Sequence, residues 1–313
     1  MAYMVTGGTG FIGSWVVKSI LEAGHDVVCF ELVPKMERLE ALLGERARDV
    51  KVLHGDVLHL HKIVEAIQEH GITHIAHIAA AVMSVCAANP AYAMQINVTG
   101  FTNMLEASRI TGIKRIVWAS SAGIFGGHYG NDPIPNDARP SPYSIYAGSK
   151  VLGECLANHY HDNYGLDVIG VRYTFVNGHG MPNSIGGKVV EELCYNPALG
   201  KPGTVPWGDD SPDWLWGGDA RRATALALDA PPTKTRAFNI RGDNHKMADA
   251  IDYVRSVIPD AQLTAEPGAL GFNRLDGSAA KEEIGYEPQM TMEQQLDSHI
   301  ERARRAHNQP LFF

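Results

Sequence analysis

The sequence has no excess of basic residues, few cysteines and no long apolar run. Its 313 residues include 35 acidic and 27 basic side chains, a formal net charge of −8. With no Lys/Arg run to offset this, there is no electrostatic footprint for nucleic acid. Four cysteines, Cys29, Cys86, Cys155 and Cys194, stand singly, with no C-x-x-C pair and no zinc-site spacing. They read as buried thiols in a reducing compartment. The most apolar stretch, 72–88, is broken by His74, His77 and Ser84 and is too short for a spanning helix. No membrane segment is expected. The N-terminus opens on a strand-like run rather than a charged segment followed by an apolar one, so a cytoplasmic location is expected. No metal site is expected either: His59/His61 and His159/His161 lie two apart in helical runs, and no His-Glu-x-x-His occurs. Repeats and low-complexity tracts are also missing. These absences leave the expectation of a soluble protein that handles small molecules.

What is present is a regular alternation of apolar strand-like runs and helical patterns through residue 173. Strands are expected near 3–6, 26–31, 50–54, 74–78, 115–119 and 167–173, and helices near 11–23, 35–43, 59–70, 92–111 and 143–164. Such alternation predicts an α/β fold, a doubly wound parallel sheet with right-handed crossovers and ligands at the carboxyl ends of its strands. Beyond Tyr173 the pattern decays into Gly/Pro/Asn-rich loops around short elements. Helices near 187–195, 219–228, 247–257 and 292–305 and strands near 237–240 and 262–264 are expected there. The reading is a first domain over 1–173, joined by about 237–265, and a smaller, discontinuous C-terminal substrate lobe from 174–236 and 266–306. Residues 307–313 form a tail.

Met4-Val5-Thr6-Gly7-Gly8-Thr9-Gly10-Phe11-Ile12-Gly13 lies between the first strand and the first helix. Glycines at 7, 10 and 13 let the backbone turn tightly, let a pyrophosphate approach the main chain and let the helix pack close to the sheet. The helix N-terminus then offers free N–H groups and its positive dipole end to a phosphate. Gly8, Gly10 and Gly13 also satisfy Gly-x-Gly-x-x-Gly, which alone often marks only a turn. The context is that of a dinucleotide site, because an acid, Glu31, ends the next apolar run. A carboxylate there accepts hydrogen bonds from ribose hydroxyls and repels a 2′-phosphate, so NAD is expected over NADP. Lys35 is the one nearby cation that softens this preference.

Tyr146 and Lys150 stand four apart at the start of a helical run, on one face. A free phenol, with a pKa of about 10, is too weak an acid to serve as a base near neutrality, and an adjacent ammonium stabilises the phenolate. Tyr-x-x-x-Lys is also common on ordinary helices. Upstream, the run 116–119 ends in Ser120 and Ser121, at the carboxyl edge of the expected sheet. A hydroxyl there can orient a substrate oxygen beside Tyr146, or simply cap the loop.

In order along the chain stand Thr6-Gly-x-x-Gly-x-x-Gly13, Asp56-Val57, His77-Ile-Ala-Ala80, Asn97-Val-Thr-Gly-Phe-Thr-Asn103, Ser120-Ser121 and Tyr146-x-x-x-Lys150. This set resembles the extended short-chain dehydrogenase/reductase family, the group that includes UDP-galactose 4-epimerase and nucleotide-sugar dehydratases. The likeness is strongest through about Arg172. It implies a Rossmann fold with NAD bound, the pyrophosphate on Gly7, Gly10 and Gly13, and backbone N–H donors at Phe11 and Ile12. Asp56 and Val57 would flank the adenine, and Ala79 and Ala80 would line the dinucleotide. Ser121, Tyr146 and Lys150 would be catalytic, with Lys150 also on the nicotinamide ribose. Asn97 would support the proton relay, or be a packing amide. The helices near 92–111 and 143–164 correspond to those that pair family members into homodimers.

The sequence departs from that family where substrate is held. Ala122 and Gly123 replace the Asp-Glu pair of the dehydratases. Pro212 or Asp213 stands where an arginine grips the diphosphate of nucleotide sugars, and Thr174-Phe175 replaces Phe-Asn after Arg172-Tyr173. A diphosphate needs cationic partners. The expected substrate is therefore small and lacks a nucleotide: a sugar, sugar acid, polyol or other secondary alcohol. Lys188, Arg241 and Arg274 are the cations that could replace the missing one. Substrate loops are expected at 126–142, 174–187 and 201–216, with His128, Tyr129, Asn177, His179, Ser184, Trp214 and Trp216 as candidates for contact. The expected activity is that of an NAD-dependent dehydrogenase, with a sugar or nucleotide-sugar epimerase as the alternative and a non-catalytic NAD-binding protein as a further rival.

Overall fold

The structure, a computed structural model, describes residues 1–127, 133–181, 184–272 and 274–312. Strands β1 (Ala2–Thr6), β2 (Asp26–Glu31), β3 (Lys51–His54), β4 (Ile72–His77), β5 (Arg115–Ser121) and β6 (Val168–Tyr173) follow in chain order. After them come β7 (Phe175–Asn177), β8 (Gly203–Val205), β9 (Asp213–Trp216), β10 (Ala237–Ile240), β11 (Asp243–Asn244) and β12 (Leu263–Ala265). Seven of them form one sheet in the order β10-β6-β5-β4-β1-β2-β3, every pair parallel. The chain leaves β1 toward β2 and β3 and returns to β4 on its other side. A crevice opens at that reversal, above the carboxyl ends of β1 and β4.

Both faces of the sheet are covered, which is why the strands read as unbroken apolar runs. Side chains alternate between the two layers. Tyr3, Val5, Val27, Cys29, Val117 and Ala119 enter one core, with Val16, Val17 and Ile20 of the helix Phe11–Glu22. Met4, Val28, Phe30, Ile116 and Trp118 enter the other, with Ile63 and Ile67 of Leu60–Glu69 and Met104 and Leu105 of Phe101–Thr111.

The C-terminal part differs from expectation in its pairing. β10 joins the main sheet beside β6, but β12 pairs with β8 in a separate two-stranded sheet. The intervening helix Met247–Val257 buries Met247, Ala250, Ile251 and Val254 against Leu296 and Ile300 of Met292–Ala306, which carries the chain away from the sheet edge. Conversely, helix Gly217–Asp229, assigned by sequence to the lobe, buries Ala220, Ala223 and Ala227 in the core of the first helix. Strands β7, β9 and β11 form a third sheet where loops were expected. The helix expected over 92–111 runs without a break from Pro90 to Thr111, its middle, Gln95–Gly100, wound as a π-helix. Of the four cysteines, Cys155 is exposed rather than buried. Among the described residues no helix is long and apolar enough to cross a membrane, and no cluster of His, Cys, Asp and Glu could hold a metal ion.

Candidate active site

The turn from β1 into the first helix is fixed by its own main chain. Gly7 has φ +68°, a conformation that favours glycine, and its N–H donates to Phe30 O at 3.1 Å. A Cβ on Gly7 would lie 3.0 Å from the backbone of Ala79, and one on Gly13 would lie 2.0 Å from Gly7 O. No side chain caps the helix that follows Gly10, and no acid occupies its first turn. The N–H groups there, those of Phe11 and Ile12 among them, are an open anion site that fits a pyrophosphate.

Glu31, at the end of β2, joins this turn. Its Oε2 accepts from Thr9 N at 3.2 Å and Thr9 Oγ1 at 3.0 Å, while Thr9 Oγ1 accepts from the backbone N–H of Lys35. The carboxylate is thus held at the rim, where a ribose would meet it. Glu31→Ala is expected to weaken NAD binding about tenfold or more, since hydrogen bonds to charged groups are worth about 1.5–3 kcal/mol. Discrimination against NADP should narrow as well. Fluorescence titration with each dinucleotide checks both, and an unchanged NAD affinity would overturn the role assigned to Glu31.

Asp56 Oδ1 accepts from Leu58 N at 2.9 Å, and Val57 packs against Gly100, where a Cβ would fall 2.6 Å from Val57 Cγ2. That close approach packs Val57 into the core beneath the helix Phe101–Thr111. Ala79 and Ala80 follow β4 directly beside Gly7, with Ala79 N donating to Thr6 Oγ1. His77 meets the same hydroxyl at 2.8 Å and stacks on Phe101; burial pushes its pKa down to about 3, so the imidazole is neutral.

Across the crevice, helix Ile145–Tyr164 starts at Ser144, whose Oγ accepts from Ala147 N. Its first turn presents Tyr146 and Lys150 together, the Lys150 Nζ 5.6 Å from the Tyr146 ring centre. Ser121 lies close enough to the Tyr146 phenol to oppose part of the rise that burial causes in its pKa, and its Oγ accepts from Gly123 N at 3.1 Å. Burial raises the phenol above its ordinary pKa and lowers Lys150 to about 8. Lys150 Nζ donates to Ala119 O at 2.7 Å. The two serines divide here: Ser120 donates to Glu154 at 2.7 Å, while Ser121 caps the loop through Gly123 N and lies near the phenol.

Asn97 lies in the π-helical segment and ties the loop after β4 to the helix Ile145–Tyr164. Its Oδ1 accepts from Ala81 N at 2.7 Å, and its Nδ2 donates to Ala81 O and to Ser149 Oγ, both at 3.0 Å. The structure therefore brings Ser121, Tyr146 and Lys150 together and places Asn97 one residue behind them, on Ser149. Sequence reasoning missed Cys86, a buried thiol that donates to Ala81 O and lies beside Lys150. No local pattern announced it.

The segment expected to form the substrate lobe meets the first domain through two main-chain carbonyls, besides the Trp15–Trp216 ring contact. Trp15 Nε1 donates to His179 O at 3.2 Å, and Arg38 Nε to Gly180 O at 3.0 Å. Within the lobe, Asn177 bonds Gln295 and His299, His179 bonds Ser298, and Ser184 caps the helix Ile185–Val190. Trp214 is buried beneath, and Trp216 packs edge-on against Trp15. These candidates are engaged in packing, while His128 and Tyr129 lie outside the described residues. Phe175 is buried edge-on against Trp214. The Asp213 carboxylate accepts from Leu275 N and Gly242 N, and burial pushes it up to about 7. Arg241, Arg274 and Lys188 are exposed.

The NAD dependent epimerase/dehydratase family matches residues 3–240. UDP-glucuronate 4-epimerase 4 of Arabidopsis thaliana is 25% identical over 328 residues, covering 95% of this chain and 74% of that protein. The crystal structure of the Thermus thermophilus UDP-glucose 4-epimerase in complex with NAD superposes with a TM-score of 0.84 at 26% identity, covering 98% and 100% of the two chains. The holo form of L-threonine dehydrogenase from Cupriavidus necator gives 0.86 at 26% identity, covering 96% and 99%. With the glycine turn, the Tyr146–Lys150 pair and the seven-stranded sheet in place, the chain belongs to the NAD-dependent epimerase/dehydratase family of extended short-chain dehydrogenase/reductase enzymes.

Proposed function

We propose that this enzyme is an NAD-dependent dehydrogenase of a secondary alcohol in a small substrate without a nucleotide, such as a sugar, sugar acid or polyol. The observation that carries this reading is the buried Asp213. Where nucleotide-sugar enzymes are expected to present an arginine to a diphosphate, this chain has Pro212 or Asp213, the latter a buried carboxyl spent on Leu275 N and Gly242 N. Phe175, at the expected position of a substrate-contacting asparagine, is packed into the apolar core of the lobe. The cations nearest the Asp213 carboxyl, Arg241 and Arg274, are exposed and come from other segments of the chain, so a diphosphate entering there would have to be held by them rather than by the expected arginine.

NAD, when bound, accepts hydride from the carbinol carbon. Tyr146 takes the hydroxyl proton, Lys150 stabilises the phenolate, and Ser121 orients the oxygen. The open first turn of helix Phe11–Glu22 and Glu31 anchor the dinucleotide. A second reading, a nucleotide-sugar epimerase, draws support from the relatives at 25–26% identity. A screen of free sugars, sugar acids and secondary alcohols for NADH absorbance separates the two. Net NADH formation that UDP-sugars do not inhibit is the expected result; strong UDP-sugar competition, with copurifying NAD and no net NADH, would establish the epimerase instead.

A homodimer through the helices Phe101–Thr111 and Ile145–Tyr164 belongs to the same proposal. Ile110, Leu152 and Tyr164 are exposed on them, an apolar surface that a second copy would cover. Light scattering should give twice the 34.0 kDa chain mass; a monomer would reject the pairing.

A further inference from the structure

Tyr146, Lys150 and Glu154 recur at four-residue intervals along one helix, so all three face the carboxyl end of β5. Their partners there are three consecutive residues of that strand: Tyr146 meets Ser121, Lys150 meets Ala119 O, and Glu154 meets Ser120. Glu154 is also held by Arg172 of β6 in a two-pronged ion pair, Nε to Oε1 and Nη2 to Oε2, each at 2.8 Å. The remaining guanidinium nitrogen donates to Asn136 O at 2.7 Å and to Asn239 Oδ1 at 3.2 Å. Asn239 in turn donates from its backbone to Asn136 Oδ1 and from its side chain to Ile134 O. One buried pair thus fastens the catalytic helix, the strand that carries Ser121 and the loop 133–142 that follows the active-site turn.

A buried ion pair is a poor source of stability, because apolar residues of the same volume often serve as well or better. What this one provides is a fixed direction for each group it touches. Ser120 and Ser121 are consecutive at the carboxyl end of β5, joined by a single peptide unit. Holding Ser120 on Glu154 fixes where Ser121 points. We infer that Glu154 is a positioning residue for Ser121, Tyr146 and Lys150, acting through Ser120, and that Arg172 locks the loop 133–142 to the same anchor. This rests on Tyr146 and Lys150 being the acid/base pair.

The test uses Ser120→Ala, Glu154→Gln and the apolar pair Glu154→Met/Arg172→Met in the full chain, with the alcohol that reacts fastest in the screen above. Ser120→Ala and Glu154→Gln should each lower kcat on the order of tenfold, as displaced reacting groups do, with NAD affinity within about twofold of the parent. Deuterium at the carbinol carbon should then slow these variants more than it slows the parent, because hydride transfer has become the slow step. A role in stability alone would leave that isotope effect unmoved. The apolar pair should fold with an undiminished melting temperature and still lose kcat. Unchanged kcat and isotope effect in folded Ser120→Ala and Glu154→Gln would overturn the inference; if Glu154→Gln does not fold, Ser120→Ala, which keeps the ion pair, decides. Tyr146→Phe separates the two levels. Its inactivity beside active Ser120→Ala and Glu154→Gln sinks only the positioning role, whereas an active Tyr146→Phe would sink the acid/base reading and this inference with it.

Discussion

Tyr146→Phe is expected to lower kcat on the order of 10² to 10⁴-fold, the range that a well-placed proton acceptor contributes. The substitution removes one oxygen and leaves the ring over Lys150, so it deletes the base without creating a cavity. NAD affinity should change little if the dinucleotide is held, as proposed, at the glycine turn and Glu31 on the far side of the crevice. Lys150 gives the expected pH dependence its shape. Burial lowers it to about 8, so its ammonium is present below that pH and is lost above it. A phenolate beside it is supported on the acid side of that value and loses the support on the alkaline side. Oxidation should therefore rise with pH up to the Lys150 value near 8 and flatten above it, because the phenol, raised above its ordinary pKa, ionises at higher pH still. Lys150→Met should remove the support at every pH and move the rising limb to higher pH. Initial rates of NADH formation across the neutral to alkaline range check both; a Tyr146→Phe variant with parental kcat would refute the assignment.

Gly13→Ala is expected to be the most damaging change of a single methyl group in the cofactor site. The added Cβ would lie 2.0 Å from Gly7 O, 2.8 Å from Gly7 C and 2.9 Å from Gly8 Cα. All three are backbone atoms, so no side chain can swing aside, and the helix must back away from the turn. Gly7 cannot yield easily, since its N–H is bonded to Phe30 O and its flank touches Ala79. Overpacking of this kind costs about 1–3 kcal/mol, and the displaced atoms are the anion-binding N–H groups themselves. NAD affinity should fall on the order of 10 to 100-fold, together with a lower melting temperature. Calorimetric titration of NAD checks it, and binding at parental affinity would show that the turn has slack the structure does not contain.

How much could be read beforehand depended on how local each cause was. The buried parallel strands announced themselves as apolar runs, and β2 and β10 fall where the sequence put them. The glycine turn and the Tyr146–Lys150 spacing were equally readable, because a turn and a helix face are set by neighbours in the chain. β7, β9 and β11 were not, being two to four residues long and set among glycines and prolines. Nor could β12 declare its partner, which the packing of helix Met247–Val257 decides. In the site, Ser120 and Ser121 were indistinguishable as adjacent hydroxyls until Glu154 took one of them. Glu154 did carry a signal, four residues beyond Lys150 on the same face, but Arg172 comes from another strand.

Trp15 and Arg38 hold the lobe by the carbonyls of His179 and Gly180. A carbonyl is supplied by every residue, so these two hydrogen bonds do not depend on the side chain at position 179, whereas Gly180, at φ +83°, and the Trp15–Trp216 ring contact do restrict what can change. Substitutions at 179 can be made without losing the Trp15 hydrogen bond. To that extent the attachment and the side chain at 179 are separable in evolution, and a library confined to that position could vary the lobe while the dinucleotide site stays as it is.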